Sequence, residues 1–177
     1  MTSINPAFIS IGSNIQPEWY LPLAVERMHE IGEMVAVSKV YQNPAIGRRR
    51  QPDFLNCAVL VGVELSAMDI RHRLREMEAD LDRIRTEDKY APRTIDLDLS
   101  ILGDLVLETP EMVLPDPDIL RRAYMAVTLA ELDPTFPHPI TSEPLQDIAD
   151  RLRSTAILKA REDVAKMIQK SVRGESS

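Results

Sequence analysis

Asp96 and Asp98 are the two residues of this chain whose type and spacing most clearly suggest chemistry. They alternate with leucine within residues 94–102, and this exchange of polar and apolar residues predicts a strand. Residues two apart on a strand share a face, so the two Cα atoms lie about 7 Å apart. Carboxylates this close repel each other unless a cation lies between them or their pKa values rise. The pair suits Mg²⁺, which uses one or two carboxylates with water and phosphate oxygens; the alternative is the solvated face of an edge strand.

A cluster of basic residues precedes the aspartates in this acidic chain: Arg83, Arg85, Lys89 and Arg93. Arginine presents a planar fork of donors that matches phosphate oxygens. Carboxylates for a metal beside arginines for a polyphosphate are what phosphoryl transfer requires. The sequence contains no GxxxxGK[ST] motif, so a P-loop does not hold the phosphates. For any single arginine, the alternative is a surface salt bridge with a neighbouring acid such as Glu78.

Phe54 and Asn56 form a second candidate site on another predicted strand. They lie two residues apart at the start of the almost continuously apolar segment 54–65, which predicts a central strand covered on both faces. An aromatic ring beside an amide can stack on a flat heterocycle and form hydrogen bonds with it. The alternative is that Phe54 belongs only to the core, but a buried amide at Asn56 needs partners.

Composition and charge limit the class of protein. The chain has 177 residues, of which 44% are apolar, and its net charge is 21 − 28 = −7. These values predict a single globular domain, exclude bulk disorder and make the chain a poor candidate for coating nucleic acid. One cysteine gives neither a disulfide framework nor a cysteine zinc site. Because we find no apolar run near the roughly 18 residues of a membrane span and no export signal, we expect a cytoplasmic protein without a membrane partner.

Hydrophobic periodicity predicts the elements that position these residues. Strands are expected at residues 7–11, 34–41, 54–65 and 94–102. In the last of them, Ile101 should share the apolar face of Leu97. A first helix follows from the apolar stripe within residues 21–31, and a second begins at a possible capping box of Ser66 and Asp69 and extends to Ile84. Polar loops are expected at residues 43–53 and 86–92.

Shorter signals continue beyond the aspartates. Gly103 and Asp104 predict a hairpin into a short strand at residues 105–107, and further helices are expected at residues 124–132, 145–152 and 157–168. The whole order predicts an α+β fold with a ferredoxin-like β-α-β-β-α-β core, a mostly antiparallel sheet, two helices on one face and added C-terminal helices. We divide the chain into a catalytic domain at residues 1–153 and a C-terminal helical extension with a frayed end at residues 154–177.

Residues 89–99, KYAPRTIDLDL, resemble the signature of the 6-hydroxymethyl-7,8-dihydropterin pyrophosphokinase family of folate biosynthesis. The likeness extends over about residues 7–139. It includes IGSN at residues 11–14, YQNP at 41–44, QPDFLN at 51–56, LP at 114–115, Arg122 and YM at 124–125. The PRTxDLDL pattern is specific, and the other pieces are short but follow in the same order along the chain.

The resemblance implies an enzyme that transfers pyrophosphate from ATP to the hydroxymethyl group of 6-hydroxymethyl-7,8-dihydropterin and releases AMP. It implies that Asp96 and Asp98 hold two Mg²⁺ ions and that Arg83 and Arg93 act with them as catalytic residues. The residues implied for pterin binding are Asn43, Pro44, Ile46, Phe54, Asn56 and Tyr124. Those implied for ATP binding are Glu78, Arg83, Arg85, Tyr90, Arg93 and Arg122. The loops at residues 44–52 and 85–92 would close over the substrates and exclude water.

This chain departs from the family pattern at several positions. Asp116 stands where a histidine is usual, Tyr90 replaces a tryptophan of the closing loop, and Thr86 replaces a basic residue. The segment after about residue 144 is longer than a minimal member needs. Because Asp116 precedes Pro117, we expect its carboxylate to accept hydrogen bonds from backbone N–H groups as a helix N-cap and not to contact ATP.

Two other functions are compatible with these residues. A paralogue that acts on another pterin would use the same site. A ferredoxin-like ligand-binding module without catalysis would need a pocket, but not two strand aspartates flanked by arginines. We expect ATP and the dihydropterin as partners, and a monomer or a small homo-oligomer.

Overall fold

A six-stranded antiparallel sheet forms the centre of the protein. The structure is a computed structural model that describes residues 3–47 and 50–175. The strands of the sheet are β1 (Asn5–Ser13), β2 (Glu33–Val37), β3 (Tyr41–Asn43), β4 (Phe54–Val63), β5 (Asp96–Leu102) and β8 (Lys159–Ala160). The strand order is β5-β1-β4-β3-β8, and β2 also pairs with β4. Two arginines of the predicted loop at residues 43–53, Arg48 and Arg49, lie outside the described residues.

Helices cover both faces of the sheet. One face packs against α1 (Pro17–Glu26), α2 (Ala67–Asp80) and α5 (Glu162–Val172), and the other packs against α3 (Ala123–Leu132) and α4 (Leu145–Arg153). A short ribbon of β6 (Leu107–Glu108) and β7 (Val113–Leu114) lies beside the sheet. The helix α1 connects β1 to β2, α2 connects β4 to β5, and the two helices share one face. The order is β-α-β-β-β-α-β, because two short strands, β2 and β3, stand where one strand is predicted. The predicted ferredoxin-like α+β fold with added C-terminal helices is therefore confirmed.

The capping box at the start of α2 is confirmed, but the predicted end of this helix is wrong. The Asp69 N–H donates to Ser66 Oγ over 3.2 Å, which satisfies one of the free donors of the first turn. The helix ends at Asp80, and the Arg83 N–H returns to the Glu78 carbonyl. As a result Ile84 leaves the apolar stripe, and 80% of its surface is exposed.

A β-bulge in β5 changes the face on which Ile101 lies. Ile9 of β1 is opposite Leu99, but its neighbour Phe8 is opposite Ile101, so Ser100 is an extra residue in β5. Strict alternation would place Ile101 beside Leu99 in the core under α1 and α2. It lies instead in the core on the opposite face, which it shares with Phe8.

Two further strand predictions are wrong in detail. The segment predicted as one strand at residues 34–41 forms β2 and β3, and Ser38 between them bonds to β4 through its hydroxyl, which accepts from the Ala58 N–H at 2.8 Å. The turn at Gly103 does not form a hairpin with β5, because the next strand, β6, pairs with β7. The first difference arises from a partner twenty residues away along the chain, and the second from pairing within the segment that follows the turn.

The end of the chain is joined to the sheet and to the core. β8 pairs with β3, the Arg161 N–H donates to the Val40 carbonyl, and α5 lies against α1. Val164 and Ile168 of α5 are buried in the same core as α1 and α2. The boundary that we place at residue 153 stays a prediction, and the residues after it contribute to the central sheet.

We expect Ile168→Ala to lower the free energy of unfolding by about 2–4 kcal/mol, because it removes a side chain that is 2% exposed and leaves a cavity. Urea denaturation monitored by circular dichroism measures this loss. Met167→Ala is the matched control, since its side chain is on the same helix and 45% exposed. Equal losses for the two variants would show that α5 is not anchored through Ile168.

Candidate active site

The register of the three central strands brings the two candidate sites together. Gly12 of β1 is opposite Asn56 of β4 on one side and Asp96 of β5 on the other, and Ser10 of β1 is opposite Asp98. Directly opposite residues of antiparallel strands share a face. The carboxylates of Asp96 and Asp98 and the amide of Asn56 therefore lie on the sheet face that packs against α3, separated by the width of one strand.

A cleft of about 230 Å³ lies over this part of the sheet. It is lined at one end by every residue implied for pterin binding: Asn43, Pro44, Ile46, Phe54, Asn56 and Tyr124. Its other end is lined by Tyr90, Arg93, Asp96 and Asp98. One continuous space thus joins an aromatic and amide end to a carboxylate end.

Asn56 is fixed at the first end of the cleft by its neighbours. Its Nδ2 donates to Asn43 Oδ1 over 2.6 Å, and the Asn43 Nδ2 donates to the Pro44 carbonyl at 3.3 Å. A Cβ atom at Gly12 would lie 2.7 Å from Asn56 Oδ1, so this glycine permits the close approach of the amide. The buried amide of Asn56 is expected to need partners, and its Nδ2 has one in Asn43. Its Oδ1 lies beside Gly12, at the floor of the cleft.

Burial and mutual repulsion define the carboxylate end. Burial, with a further contribution from the Asp96 charge, raises the pKa of Asp98 to about 7. Asp96 is half-buried and lies 3.3 Å from Arg93 NH1 and 3.7 Å from Arg83 NH1. The Arg93 guanidinium is also 5.9 Å from the Phe54 ring centroid, so this side chain spans the two ends of the cleft.

A second cleft, of about 290 Å³, adjoins the first at the aspartates. Arginines from α2 and from the following loop line it together with Asp96 and Asp98: Arg75, Arg83, Arg85 and Arg93. Cations on one side and carboxylates on the other favour an anion that is bound together with a metal. The sequence predicts the arginines of the loop beside the aspartates, and the fold adds Arg75 of α2.

Glu78 lies behind these arginines and lines neither cleft. It is buried, and its carboxylate contacts Arg75 at 2.7 Å, Arg85 at 2.9 Å and Arg83 at 3.8 Å. Burial raises the pKa of Glu78 to about 8, although Arg75 and Arg83 oppose the shift. The salt-bridge alternative for the arginines therefore describes Arg85 well, and Glu78 holds several cations at the edge of the cleft.

Asn14, a residue with no predicted role, joins the two loops that border the cleft. Its Nδ2 donates to Gln51 Oε1 at 2.8 Å, and its Oδ1 accepts from the Arg93 N–H at 2.8 Å. Gln51 Nε2 also donates to the Tyr90 carbonyl at 2.9 Å. Asn14 belongs to the IGSN motif at residues 11–14, but its hydrogen-bond partners are fixed only by the fold. Arg75 was likewise missed, because a helix stripe assigns it only to a flank.

The two residues beyond β5 that the sequence singles out differ in their placement. The predicted N-cap at Asp116 is confirmed, since its Oδ1 accepts from the Asp118 N–H at 2.9 Å at the start of a 3₁₀ turn, Pro117–Leu120. Arg122 lines neither of the two clefts. Its buried Nε has no hydrogen-bond partner among the described residues, so its contact with ATP stays a prediction.

Residues 3–47 and 50–175 contain no group of three or more His, Cys, Asp or Glu side chains that could hold a metal ion. A metal at Asp96 and Asp98 therefore needs additional ligands, which phosphate oxygens and water supply at Mg²⁺ sites.

Within residues 3–47 and 50–175, no helix has both the length and the apolar composition needed to cross a membrane.

Comparison with protein families matches residues 8–134 to the model of 7,8-dihydro-6-hydroxymethylpterin-pyrophosphokinase (HPPK). Relatives include the 2-amino-4-hydroxy-6-hydroxymethyldihydropteridine pyrophosphokinase of Bacillus subtilis, 33% identical over 72% of this chain and 78% of that protein. The protein of the same name from Aquifex aeolicus is 28% identical over 79% of this chain and 88% of its own length. The folic acid synthesis protein fol1 of Schizosaccharomyces pombe is 30% identical over 85% of this chain, which spans 21% of that protein.

Two of the solved structures that match are of longer chains, of which this chain covers less than half. The Plasmodium falciparum HPPK-DHPS A437G with pteroate superposes with a TM-score of 0.67 at 11% identity, over 86% of this chain and 44% of that chain. The A437G/K540E form with pterin and p-hydroxybenzoate gives a TM-score of 0.69 at 12% identity, over 87% and 45% of the respective chains. At these identities the likeness establishes a shared fold.

We expect Gly12→Ala to destabilise the protein by about 1–3 kcal/mol, because the new methyl group would overlap Asn56 Oδ1. In the double variant with Asn56→Ala the overlap is absent, so the two losses should not add. Gly62→Ala is the control, since its Cβ would meet the exposed side chain of Ile4 at 3.1 Å. Chemical denaturation of the four variants measures the coupling; additive losses would show that Gly12 is not required by the amide.

Proposed function

We propose an active site for this chain. The chain belongs to the 7,8-dihydro-6-hydroxymethylpterin-pyrophosphokinase family and has the diphosphotransferase activity of that family in folate biosynthesis (EC 2.7.6.3). In the proposal, the chain transfers the β,γ-diphosphate of ATP to the hydroxymethyl group of 6-hydroxymethyl-7,8-dihydropterin. The observation that carries the assignment of residues is the continuous cleft, with an aromatic and amide end and a carboxylate end.

The pterin ring occupies the first end of this cleft. Phe54 and Tyr124 stack on the ring, since both line the cleft and an aromatic face suits a flat heterocycle. Asn56 reads the polar edge with its free amide atoms, held in place by Asn43, while Pro44 and Ile46 border the same edge from the loop. The hydroxymethyl group then points toward the aspartates, where the diphosphate must be.

Asp96 and Asp98 hold the metal at the other end. Their hard oxygen donors fit Mg²⁺, and the half-buried Asp98 carboxylate lies beside a second negative charge that a cation would compensate. We propose two Mg²⁺ ions, with remaining ligands from water and ATP. When bound, Mg²⁺ would withdraw charge from the phosphate oxygens.

ATP lies along the second cleft with its phosphates toward the aspartates. Arg83 and Arg93 contact the phosphates and offset the negative charge that increases in the transition state. Arg85 and Tyr90 bind the nucleotide from the loop. Glu78 acts by holding the arginines, which its three ion pairs support. We also propose Arg122 for the ATP side, from its sequence position.

The reaction is a direct displacement at the β-phosphorus. The hydroxymethyl oxygen forms the new bond to this phosphorus, the bond from the phosphorus to the bridging oxygen of the α-phosphate breaks, and AMP leaves with that oxygen while the hydroxyl proton is released. The loops at residues 44–52 and 85–92 cover the substrates and exclude water as a competing acceptor. Through Asn14, both loops are tied to the end of β1.

The function is tested by mixing the purified protein with ATP, Mg²⁺ and 6-hydroxymethyl-7,8-dihydropterin and measuring AMP. Formation of AMP and the pterin diphosphate in equal amounts supports the proposal. A non-catalytic ligand-binding module would bind without forming AMP. A paralogue would turn over another reduced pterin with a higher kcat/KM, so the assay includes dihydroneopterin as a second acceptor. The monomeric or small homo-oligomeric state and the cytoplasmic location stay proposals.

We expect Asp96→Asn and Asp98→Asn each to lower kcat by about a thousandfold or more, because removing a catalytic electrostatic group typically costs that much. The folded state should persist, since less charge repulsion remains at the cleft. Steady-state AMP formation and thermal unfolding are measured together, with Asp80→Asn as an exposed control on α2. Near-normal turnover of either cleft variant at low Mg²⁺ concentration would contradict the metal assignment.

Phe54→Ala and Tyr124→Ala should each weaken pterin binding by roughly 1–3 kcal/mol, the scale for bases stacked on aromatic side chains. ATP affinity should change far less, because neither ring lines the second cleft. Titration calorimetry with each substrate separates the two effects. A similar loss of affinity for both substrates would indicate a general disturbance of the fold and assign Phe54 to the core.

A further inference from the structure

A pair of serine hydroxyls lies under the middle of the first cleft and has no role in the site described above. Ser10 of β1 lines the cleft, and its Oγ lies 2.7 Å from Ser100 Oγ of β5. Ser100 is completely buried, whereas Ser10 is half-buried. The pair exists because Ser100 is the extra residue of the β-bulge, which brings its side chain to β1.

The burial of Ser100 determines which hydroxyl donates. Across residues 3–47 and 50–175, Ser10 Oγ is the sole hydrogen-bond partner of Ser100 Oγ. If Ser10 donated, the Ser100 proton would be buried without an acceptor, which costs the desolvation of a polar group. Ser100 therefore donates and Ser10 accepts. No other described residue bonds to Ser10 Oγ, so the Ser10 proton is available on the side of the residue that faces the cleft.

The position of Ser10 selects the part of the ligand that it can reach. Ser10 is opposite Asp98 of β5 on one side and Ala58 of β4 on the other. It lies two residues before Gly12 and on the same face of β1. A ring held at Asn56 must extend over β1 for its hydroxymethyl group to reach the diphosphate at the aspartates. The ring edge that carries the hydroxymethyl group therefore lies over Ser10.

We propose that Ser10 is a substrate-binding residue that donates a hydrogen bond to the ring nitrogen next to the carbon that bears the hydroxymethyl group. This inference rests on the proposed function. In a 7,8-dihydropterin that nitrogen is an imine and accepts a hydrogen bond. A donor to the hydroxymethyl oxygen would instead engage a lone pair that must attack phosphorus, whereas the ring nitrogen takes no part in the transfer. Ser10 thus orients the acceptor edge and leaves the nucleophile free.

The test measures ligand affinity in Ser10→Ala with a saturating non-hydrolysable ATP analogue present. We expect the Kd of 6-hydroxymethyl-7,8-dihydropterin to rise roughly three- to tenfold, as for the loss of one hydrogen bond. The Kd of 6-methyl-7,8-dihydropterin should rise by the same factor, because this compound keeps the ring nitrogen and lacks the hydroxyl. The Kd of the ATP analogue should not change.

Ser100→Ala distinguishes ligand binding from a structural role. It removes the buried donor and should lower the melting temperature, but it leaves the Ser10 proton in the cleft, so pterin affinity should stay within about twofold of the wild type. Unchanged pterin affinity in Ser10→Ala would overturn the inference. So would a loss confined to the hydroxymethyl compound, or an equal loss in Ser100→Ala. Failure of the wild-type protein to form AMP would instead contradict the proposed function.

Discussion

The proximity of the two half-buried carboxylates of Asp96 and Asp98 is the constraint on which the rest of the site depends. Two carboxylates on adjacent positions of one strand face need compensation by positive charge. Arg83 and Arg93 supply part of it, and the buried Glu78 in turn keeps arginines such as Arg83 near the cleft. Acids and arginines thus alternate across α2, the following loop and β5, and a metal-bound polyphosphate can enter this pattern by replacing some of the contacts.

Local patterns predict most of this architecture, because period-two alternation and capping residues act over a few positions. They give the strand face of the aspartates, the start of α2 and the turn at Asp116. They fail where distant pairing decides: the bulge at Ser100 reverses the face of Ile101, and the strand predicted at residues 34–41 divides because Ser38 bonds to β4. These contacts join residues that are tens of positions apart, so the local period of apolar residues does not predict them.

The site follows the same division. Spacing alone predicts that Phe54 shares a face with Asn56, and resemblance to a family adds Asn43 and Tyr124 to the same end. The distance between this end and the aspartates is set by β1, which lies between β4 and β5, and only the register shows that Gly12 separates amide from carboxylate. The partners of Asn14 likewise cannot be derived from local patterns, because Gln51 and Arg93 are both remote in sequence.

The short strand β8 has a consequence for solubility. It covers the backbone of β3, whose N–H and C=O groups would otherwise form an open edge of the sheet. An uncovered edge is a template for pairing with other chains, and β3 carries Asn43, which lines the first cleft. Shortening the chain before β8 would therefore expose a self-associating surface next to the proposed substrate site, so that aggregation and disturbance of that site would arise from the same strand.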